Sequence, residues 1–398
     1  MHFIRWALSA AILLGSSAAW AQAPEGPPPP PDAERPWKER LRLEVGPVHV
    51  APVLFVATQL APYAGEDSLF QAGDIAERPG FRLRYARLGL DAGYTDQGRA
   101  RVTIDIGADE NGASVNMHDA WAAYTPFDFI GLYAGAHRMP FSRFSLIGSG
   151  RGALIERPLA VRALAPGHQV GSSVHGSVLE GAFHYSAGVF NALARTPNFY
   201  EGYIENYAVH GNRFEGLSFA GRIGTEPLGA LPDTAADEEK GPIRFGVAGN
   251  YLFSHGGTRD IHTAGGDAHV MVLGFHALVE GLWSLSKPAV EPTLPTEEFS
   301  DVHSYAMVGE AGYMILKEML GVTARFEWID PNIDSDDESD NWLITGGAHF
   351  SFVERLFKLQ AEYTHREERH GVSLANDSVA IQLQLQLDYA AETRGGGT

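Results

Sequence analysis

The segment SVAIQLQLQLDY (Ser378–Tyr389), near the carboxyl end of the chain, alternates apolar and polar residues without interruption. One side runs from Val379 to Tyr389 and is apolar, whereas the other side carries glutamines and ends at Asp388. A period of two over this length predicts a β-strand with one apolar and one polar face. A soluble sheet can show the same pattern. Because the pattern recurs along the chain and the chain starts with an export signal, we predict an all-β fold, a transmembrane antiparallel β-barrel.

Residues 1–21 have the composition of a signal peptide. Arg5 supplies the positive charge, Trp6–Leu14 is a short apolar run, and Ala19–Ala21 has the small residues of a cleavage site. The apolar run is too short to span a bilayer. Export, together with an apolar content of 44 %, which suits a barrel with only one apolar face, predicts the outer membrane of a Gram-negative-type bacterium.

Charge and cysteine content exclude other classes. The formal net charge of −19 argues against nucleic acid as a partner. The absence of cysteine excludes a small disulfide-stapled scaffold. The sequence has no G-x-S-x-G, H-E-x-x-H or phosphate-cradling glycine motif, so we expect no enzyme activity, no cofactor and no metal.

The chain divides into a proline-rich periplasmic linker at 22–39, a barrel at 40–389 and a flexible tail at 390–398. Alternation and turn residues predict about sixteen strands. The predicted strands are 41–61, 82–94, 99–108, 117–125, 130–138, 168–178, 182–191, 206–215, 218–226, 243–253, 268–286, 303–315, 320–330, 342–352, 356–366 and 376–389.

Bacterial barrels alternate long outer loops with short periplasmic turns. This rule assigns 139–167 and 227–242 to the outer side. The connection 254–267 is long for a periplasmic turn. Splitting 268–286 into two strands would give an odd strand number, so we keep it as one strand.

Charged residues within strands must face the lumen, because charge at the lipid midplane costs about 2–4 kcal/mol. Arg99, Arg101 and Asp105 share one face of their strand. Arg82, Arg84 and Arg87 are out of phase, and a β-bulge near Tyr85 or Ala86 would place all three inside. Each lumenal arginine either selects ions or braces the wall through a carboxylate, and the sequence leaves both roles open.

Seven segments follow one another along the chain: FRLRYARLGLDAGY (Phe81–Tyr94), HDAWAAYTP (His118–Pro126), GLYAGAHRMPFSR (Gly131–Arg143), LIERP (Leu154–Pro158), YSAGVFNA (Tyr185–Ala192), LGVTARFEWIDPN (Leu320–Asn332) and VAIQLQLQLDY (Val379–Tyr389). In this order they resemble the phosphate- and polyphosphate-selective porin family. The resemblance implies a sixteen-stranded, usually trimeric outer-membrane channel. It also implies a third loop, here Met139–Gly167, that folds inward and narrows the pore, with lumenal cations that attract anions.

These arguments predict a set of residues that line the pore or its constriction. They are Arg82, Arg84, Arg87, Arg99, Arg101, Asp105, Arg138, Arg143, Arg151, Glu156, Arg157 and Arg162. Two departures from the family concern lysine, which occurs at only a few scattered positions, and the end of the chain, which lacks a terminal aromatic residue unless Tyr389 takes that role.

The loop Asp330–Asn341 begins like a calcium-binding loop. It has Ser335 at the turn glycine and lacks the final glutamate, so we interpret it as a solvated acidic outer loop, with divalent-ion bridging to lipopolysaccharide as the alternative. His365 and His370 are predicted to be surface residues rather than metal ligands.

The predicted function is passive diffusion of small solutes or anions, phosphate-like ones included, through an arginine-lined constriction. The predicted partners are outer-membrane lipid and lipopolysaccharide, small anionic or polar solutes, and two further copies of the chain in a homotrimer. The alternatives are a non-conducting structural or adhesive barrel, and a barrel hydrolase whose catalytic residues assemble across strands.

Overall fold

The computed structural model describes residues 41–64, 79–109, 112–196, 199–205, 216–256, 259–289, 300–337, 339–371 and 373–388. The chain separates into two compact units, Met1–Arg42 and Leu43–Thr398. The described residues do not include the predicted signal peptide at 1–21, the predicted linker at 22–39, Arg40, Tyr389 or the predicted tail at 390–398. Within the described residues, no helix has the length and hydropathy needed to cross a membrane.

Strands dominate the second unit. They are β1 (Leu43–Val45), β2 (Val48–Ala64), β3 (Gly80–Tyr94), β4 (Gly98–Asp109), β5 (Gly112–Phe127), β6 (Ile130–Arg138), β7 (His168–Val178), β8 (Phe183–Asn191), β9 (Gly216–Thr225), β10 (Arg244–Gly256), β11 (Arg259–Val272), β12 (Phe275–Pro288), β13 (Val302–Leu316), β14 (Leu320–Asp330), β15 (Asn341–Phe352), β16 (Phe357–Glu368) and β17 (Ser378–Leu387). Two short helices, α1 (Arg143–Leu146) and α2 (Leu159–Leu164), and 3-10 turns at Ser149–Arg151 and Phe199–Glu201 complete the regular structure of the described residues.

The sheet closes on itself. Each strand from β2 to β17 pairs antiparallel with the next, and β17 returns to β2 with Leu387 opposite Leu54. β1 adds only a short hairpin on β2. The result is a closed antiparallel barrel of 16 strands, as predicted from the sequence. Closure gives the backbone N–H and C=O groups of every strand edge a hydrogen-bond partner. The hydrocarbon core of a membrane makes this necessary because it offers no hydrogen bonds of its own.

The two faces of the wall have the polarity of a membrane barrel. On β14, Thr323, Arg325 and Glu327 are buried, whereas Val322 and Phe326 are each 41 % exposed. Polar side chains therefore point to the interior and apolar ones point outward, toward lipid.

The structure corrects one of the predicted strands. The range 268–286 is not one strand, because β11 and β12 meet at a tight turn where Leu273 and Gly274 have φ of 50° and 96°. The segment HTAGGDAH (His262–His269) lies within β11. Its small residues give no clear alternation of apolar and polar side chains, so the sequence pattern did not predict this strand. The predicted strand 206–215 lies outside the described residues. The total of sixteen is thus correct although this part of the strand assignment is wrong.

A predicted outer loop also lies at the opposite end of the barrel. Residues 226–243 join β9 to β10 at the end that carries the short turns, since Glu226 donates its N–H to the Ala182 carbonyl and Leu273 donates to Gly241. The outer-loop assignment of 227–242 was therefore wrong, because the prediction counted a strand between the strands that correspond to β8 and β9, which pair directly in the wall. We call residues 226–243 the inner turn.

Two β-bulges adjust which side chains face inward. Ala57 pairs with Tyr85 while Thr58 pairs with Leu83, so Arg84 is the extra residue on β3, next to the position predicted from the sequence. A second bulge lies on β5, where Asp119 pairs with Thr103 and Met117 pairs with Ile104, which leaves His118 as the extra residue. A bulge re-aims side chains that strict alternation would turn outward.

Candidate functional site

The connection between β6 and β7, residues 139–167, runs across the interior of the barrel. We call it loop 3. Its backbone N–H groups bind carboxylates of distant wall strands: Phe144 to Glu280 at 3.3 Å, Ile155 to Glu362 at 2.8 Å, and Ala160 to Glu327 at 3.1 Å. These acceptors belong to β12, β16 and β14, which are not neighbours of β6 and β7 in the sheet. Loop 3 therefore finds partners for its backbone polar groups on the inner face of the opposite wall.

Wall side chains also donate to loop 3. Arg325 donates to the Glu156 carbonyl at 2.9 Å, Lys358 to the Gly152 carbonyl at 2.6 Å, and Gln384 to the Gly150 carbonyl at 2.9 Å. Beneath these polar contacts lies an apolar cluster. Its fully buried loop members include Met139, Phe141, Ala160 and Leu164. The loop is held by both kinds of interaction, so its position in the lumen is defined.

Glu156 connects loop 3 to the arginines of β3. Arg84 donates Nε to Oε1 at 2.9 Å and Nη2 to Oε2 at 2.8 Å, and Arg82 Nη2 lies 3.5 Å from Oε1. Burial alone would raise the pKa of Glu156, but the guanidinium groups of Arg84, Arg162 and Arg82 outweigh it and lower the pKa to about 2. Glu156 is therefore ionised at neutral pH and neutralises part of the positive charge beside it.

The remaining wall arginines of the predicted set bind wall carboxylates. Arg99 and Arg101 both bind Asp91, at 3.0 and 2.9 Å, and Arg101 also binds Asp388 at 2.5 Å. Arg87 binds Asp105 at 2.8 Å. The contacts with Asp91 and Asp105 join the neighbouring strands β3 and β4, whereas the contact with Asp388 reaches the residue after β17, which does not adjoin β4. The structure does not bring Arg101 into the group formed by Arg82, Arg84 and Glu156.

The arginines at the base of loop 3 bind backbone carbonyls. Arg138 donates Nη1 to the carbonyls of Ser145, Leu146 and Ile147, each at 2.9 Å, and so satisfies the end of α1. Arg157 donates to the same Ile147 carbonyl at 3.1 Å. These two members of the predicted set shape loop 3 from within.

The inner turn enters the lumen from the other end and meets loop 3. Arg143 of loop 3 donates to the Pro232 carbonyl at 2.6 Å, and Arg151 lies 3.8 Å from the carboxylate of Asp233. The N–H of Ala235 donates to the Arg151 carbonyl at 3.3 Å. Sequence reasoning missed this contact because it placed the inner turn on the outer side.

Asp237 fixes the inner turn in place. It is completely buried and accepts from the Gly274 N–H at 2.7 Å, the Gly241 N–H at 3.3 Å and Arg244 at 2.5 Å. One carboxylate therefore joins the inner turn to the β10 strand and to the turn between β11 and β12.

Two small pockets, of about 40 and 60 Å³, lie between loop 3 and the wall. Their charged lining residues are Arg82, Arg157, Arg325, Arg366, Glu156, Glu327 and Glu362 in the first, and Arg84, Arg157, Arg162, Arg325, Glu156 and Glu310 in the second. Arginines outnumber carboxylates in both. The predicted set omitted Arg325, Arg366 and their acidic neighbours. Alternation along β14 places Arg325 and Glu327 inside, so a signal for these two was present in the sequence.

A Ser–His pair also lies inside the barrel. His137 Nε2 is 2.9 Å from Ser173 Oγ, while Nδ1 is 3.0 Å from the Gly135 carbonyl. The ring contacts Tyr133 and Phe190, and His137 is 6 % exposed. With a carbonyl where a triad has a carboxylate, this pair fits side-chain packing rather than nucleophile activation.

Comparison with known proteins agrees with the fold of an outer-membrane β-barrel. The sequence profile of the family described as phosphate-selective porin O and P matches residues 64–228. No curated protein matches the chain significantly. Among solved structures, the chain is similar to OmpT of Vibrio cholerae, with 12 % identity and a TM-score of 0.55 over 87 % of this chain and 99 % of that one.

Two further solved structures share this fold. The outer-membrane channel DcaP of Acinetobacter baumannii has 12 % identity and a TM-score of 0.55, covering 86 % of this chain and 98 % of that one. OmpF of Salmonella typhi has 10 % identity and a TM-score of 0.55, covering 87 % and 99 %. Residues 64–228 therefore match the profile of the phosphate-selective porin O and P family, and the chain as a whole has the fold of outer-membrane β-barrel channels.

Proposed function

We propose that this porin is a passive channel for small anionic and polar solutes, with an arginine-lined constriction formed by loop 3. The observation that carries the proposal is the second pocket, where Arg84, Arg157, Arg162 and Arg325 surround a space that holds only two carboxylates, Glu156 and Glu310. An excess of guanidinium groups in a narrow, partly dry space raises the local concentration of anions.

The mechanism requires no chemical step. A solute that enters the constriction loses part of its hydration, and planar guanidinium donors replace that water for a phosphate-like or carboxylate oxyanion. Neighbouring carboxylates keep the affinity low, so the anion is released and conduction continues. In this proposal Arg82, Arg84, Arg157 and Arg162 act on the solute, whereas Arg87, Arg99, Arg101 and Asp105 brace the wall.

The charge test replaces Arg157 and Arg162 together by glutamine. Single-channel recording across a salt gradient should show a reversal potential shifted toward cation preference relative to wild type. The matched control is Arg259→Gln, because Arg259 binds Ser286 at the outer end of the wall and lies outside both pockets. An open double variant with the reversal potential of wild type contradicts the proposal.

The loop test deletes Ser145–Gly152. This segment includes the end of α1 and the 3-10 turn, and its Gly150 and Gly152 carbonyls accept from the wall. We expect higher conductance together with weaker selectivity. A deletion variant that folds, inserts and conducts like wild type shows that loop 3 does not limit permeation.

A non-conducting barrel is the second candidate, because loop 3 and the inner turn contribute a shared apolar cluster that fills part of the lumen. The recordings above decide between them: correctly folded wild-type protein that produces no conductance steps favours a structural or adhesive role.

We further propose a homotrimer with outer-membrane lipid and lipopolysaccharide as its surroundings. OmpT of Vibrio cholerae has a solved trimer form with a TM-score of 0.54 and 10 % identity to this chain. Mass measurement of the detergent-solubilised protein, with the bound detergent subtracted, tests this: three chains per particle are expected, and one chain per particle contradicts it.

A further inference from the structure

A cluster of two histidines and a glutamate lies where loop 3 rejoins the wall. His118 of β5, His168 at the start of β7 and Glu205 each present one potential metal-ligand atom, and these atoms all lie within 4.8 Å of one another. Glu205 Oε1 is 3.7 Å from His168 Nδ1, and Glu205 Oε2 is 4.0 Å from His118 Nδ1. The imidazole rings are 4.1 Å apart between centroids. None of these three residues belongs to either pocket lining.

The bulge on β5 assembles this cluster. Because His118 is the extra residue, His118 and Asp119 both reach the inner side, with side chains 11 % and 12 % exposed. Asp119 Oδ2 accepts from the Thr103 hydroxyl at 2.7 Å, and its Oδ1 lies 3.2 Å from His168 Nε2. A regular strand would turn one of the two residues toward lipid.

His168 is oriented as metal-binding histidines are. Its Nε2 lies 3.2 Å from Asp119 Oδ1 and also accepts from Arg138 Nε, while its Nδ1 faces the Glu205 carboxylate. Nδ1 is buried and has no hydrogen-bond partner among the described residues, and His168 as a whole is 3 % exposed. The space between Nδ1 and the carboxylate can take a proton on Nδ1 or a metal ion that replaces it. A carboxylate on the second ring nitrogen is the usual support for a metal-bound histidine.

Gly167 leaves room for the carboxylate. A Cβ at this position would lie 1.9 Å from Glu205 Oε1 and 2.7 Å from its Cδ. Any other residue at 167 would therefore displace Glu205. The glutamate fits a space that the end of loop 3 provides.

Several neighbouring cations oppose a metal. Arg87 acts on His118, Arg157 acts on Glu205, and Arg138 Nε donates to His168 Nε2 at 3.3 Å. The Arg138 guanidinium is, however, held by three backbone carbonyls of loop 3, and Asp119 lies on the same side of the ring to balance it. The opposite nitrogen, Nδ1, faces the Glu205 carboxylate.

We propose that His118, His168 and Glu205 form a site for a divalent first-row transition ion, represented by Zn²⁺, with Asp119 supporting His168. Two neutral imidazoles and a carboxylate are a ligand set that Zn²⁺ prefers over Ca²⁺ or Mg²⁺. Ligand atoms around tetrahedral zinc are roughly 3.3 Å apart, so a small rotation of the partly exposed Glu205 closes the site. A bound ion would join β5 and β7 to the segment around Glu205 and stiffen the base of loop 3.

The test is calorimetric titration of the folded full-length protein in detergent with Zn²⁺. A second cluster, Asp336, Asp340 and His370, also brings potential ligands together. The titration is therefore done in a His370→Gln background as well as in wild type. We expect the His370→Gln protein to bind one equivalent of Zn²⁺ saturably. Adding His168→Gln or Glu205→Gln to this protein should lower its affinity for Zn²⁺ by at least about ten-fold. Co²⁺ should give the visible absorption of a four-coordinate ion at the same stoichiometry.

A matched control is His255→Gln, which removes an exposed histidine that binds Asp260 and lies outside the cluster. It should leave Zn²⁺ affinity unchanged. Heat modifiability in gels checks that each variant is folded. The proposal is overturned if the His370→Gln protein binds no equivalent of Zn²⁺. It is equally overturned if folded Glu205→Gln protein, which keeps the size of the side chain, binds Zn²⁺ as tightly as its parent.

Discussion

Arg84 on the barrel wall donates two parallel hydrogen bonds, of 2.9 and 2.8 Å, to the carboxylate of Glu156 on loop 3. The pair joins a loop to a strand that lies far from it in the sequence. It forms because Arg84 is the extra residue of a β-bulge, which turns it inward beside Arg82. The bidentate geometry fixes the orientation of both groups. The pair therefore controls both where loop 3 lies and how much positive charge the lumen presents.

Replacing Glu156 by glutamine should strengthen anion preference. The substitution keeps the size of the side chain but removes the charge that neutralises Arg82 and Arg84, so the reversal potential in a salt gradient should move further toward the anion equilibrium value. The loss of charged hydrogen bonds should also lower the free energy of unfolding by about 1–3 kcal/mol.

Glu318→Gln is the matched control for this substitution. It removes the same charge from a short turn where Glu318 is exposed and lies beside Lys317. A Glu156→Gln channel with the selectivity of this control would show that Glu156 is not exposed to the ion path.

Acid should weaken the attachment of loop 3 in a defined range. The pKa of Glu156 falls from 4.5 to about 2 in the folded protein. Because the folded pKa is the lower one, the stabilisation is fully present above about pH 4.5 and is lost progressively as the pH falls toward 2. Urea unfolding of wild type and Glu156→Gln at about pH 7, 4 and 3 should give a difference that shrinks with acidification. A constant difference contradicts the assignment.

Arg101→Ala should affect stability more than selectivity. Arg101 is 11 % exposed in its side chain and binds both Asp91 and Asp388, so its loss leaves two carboxylates with fewer partners. We expect unfolding to become easier by about 1–3 kcal/mol, measured from the denaturant midpoint, with the reversal potential unchanged. Arg259→Ala at the outer end serves as control. A large change in selectivity without a change in stability would instead make Arg101 an ion-selecting residue.

Asp237→Ala should release the inner turn. The substitution leaves the buried Arg244 contact and two backbone N–H groups without their acceptor, which costs about 3–5 kcal/mol when a buried charge pair is broken. Single-channel recording should show larger or noisier conductance, because the inner turn contacts loop 3 through Ala235. Asp301→Ala, which removes an exposed partner of Lys287, should show neither effect.

The sequence alone is enough to predict most strands of the barrel wall, but not which residues meet inside the lumen. On β14, β16 and β17 apolar and polar residues alternate, so the sequence shows which side chains face lipid and which face the lumen. The prediction of a closed membrane barrel follows from this local pattern. On β11 the run around Gly265 and Gly266 gives no contrast between the faces, so this strand was missed. The inner turn was placed at the wrong end because the prediction counted a further strand between β8 and β9, which pair directly. The attachment of Glu156 to Arg84 could not be predicted, because it depends on which strands lie opposite loop 3 after closure. The same holds for His118 and His168, which meet through a bulge that no spacing rule specifies.

The contact between β17 and β2 sets the order in which the protein can fold. It pairs residues from opposite ends of the barrel sequence, Leu387 with Leu54, so the contact order is high. The entropy cost of closing this large loop is therefore incurred in a single late step of folding. Until the carboxyl-terminal strand arrives, β2 keeps an open hydrogen-bonding edge that can pair with other chains. Productive biogenesis therefore depends on shielding that edge until the final strand is in place, and truncation before Ser378 should yield aggregates rather than a smaller barrel.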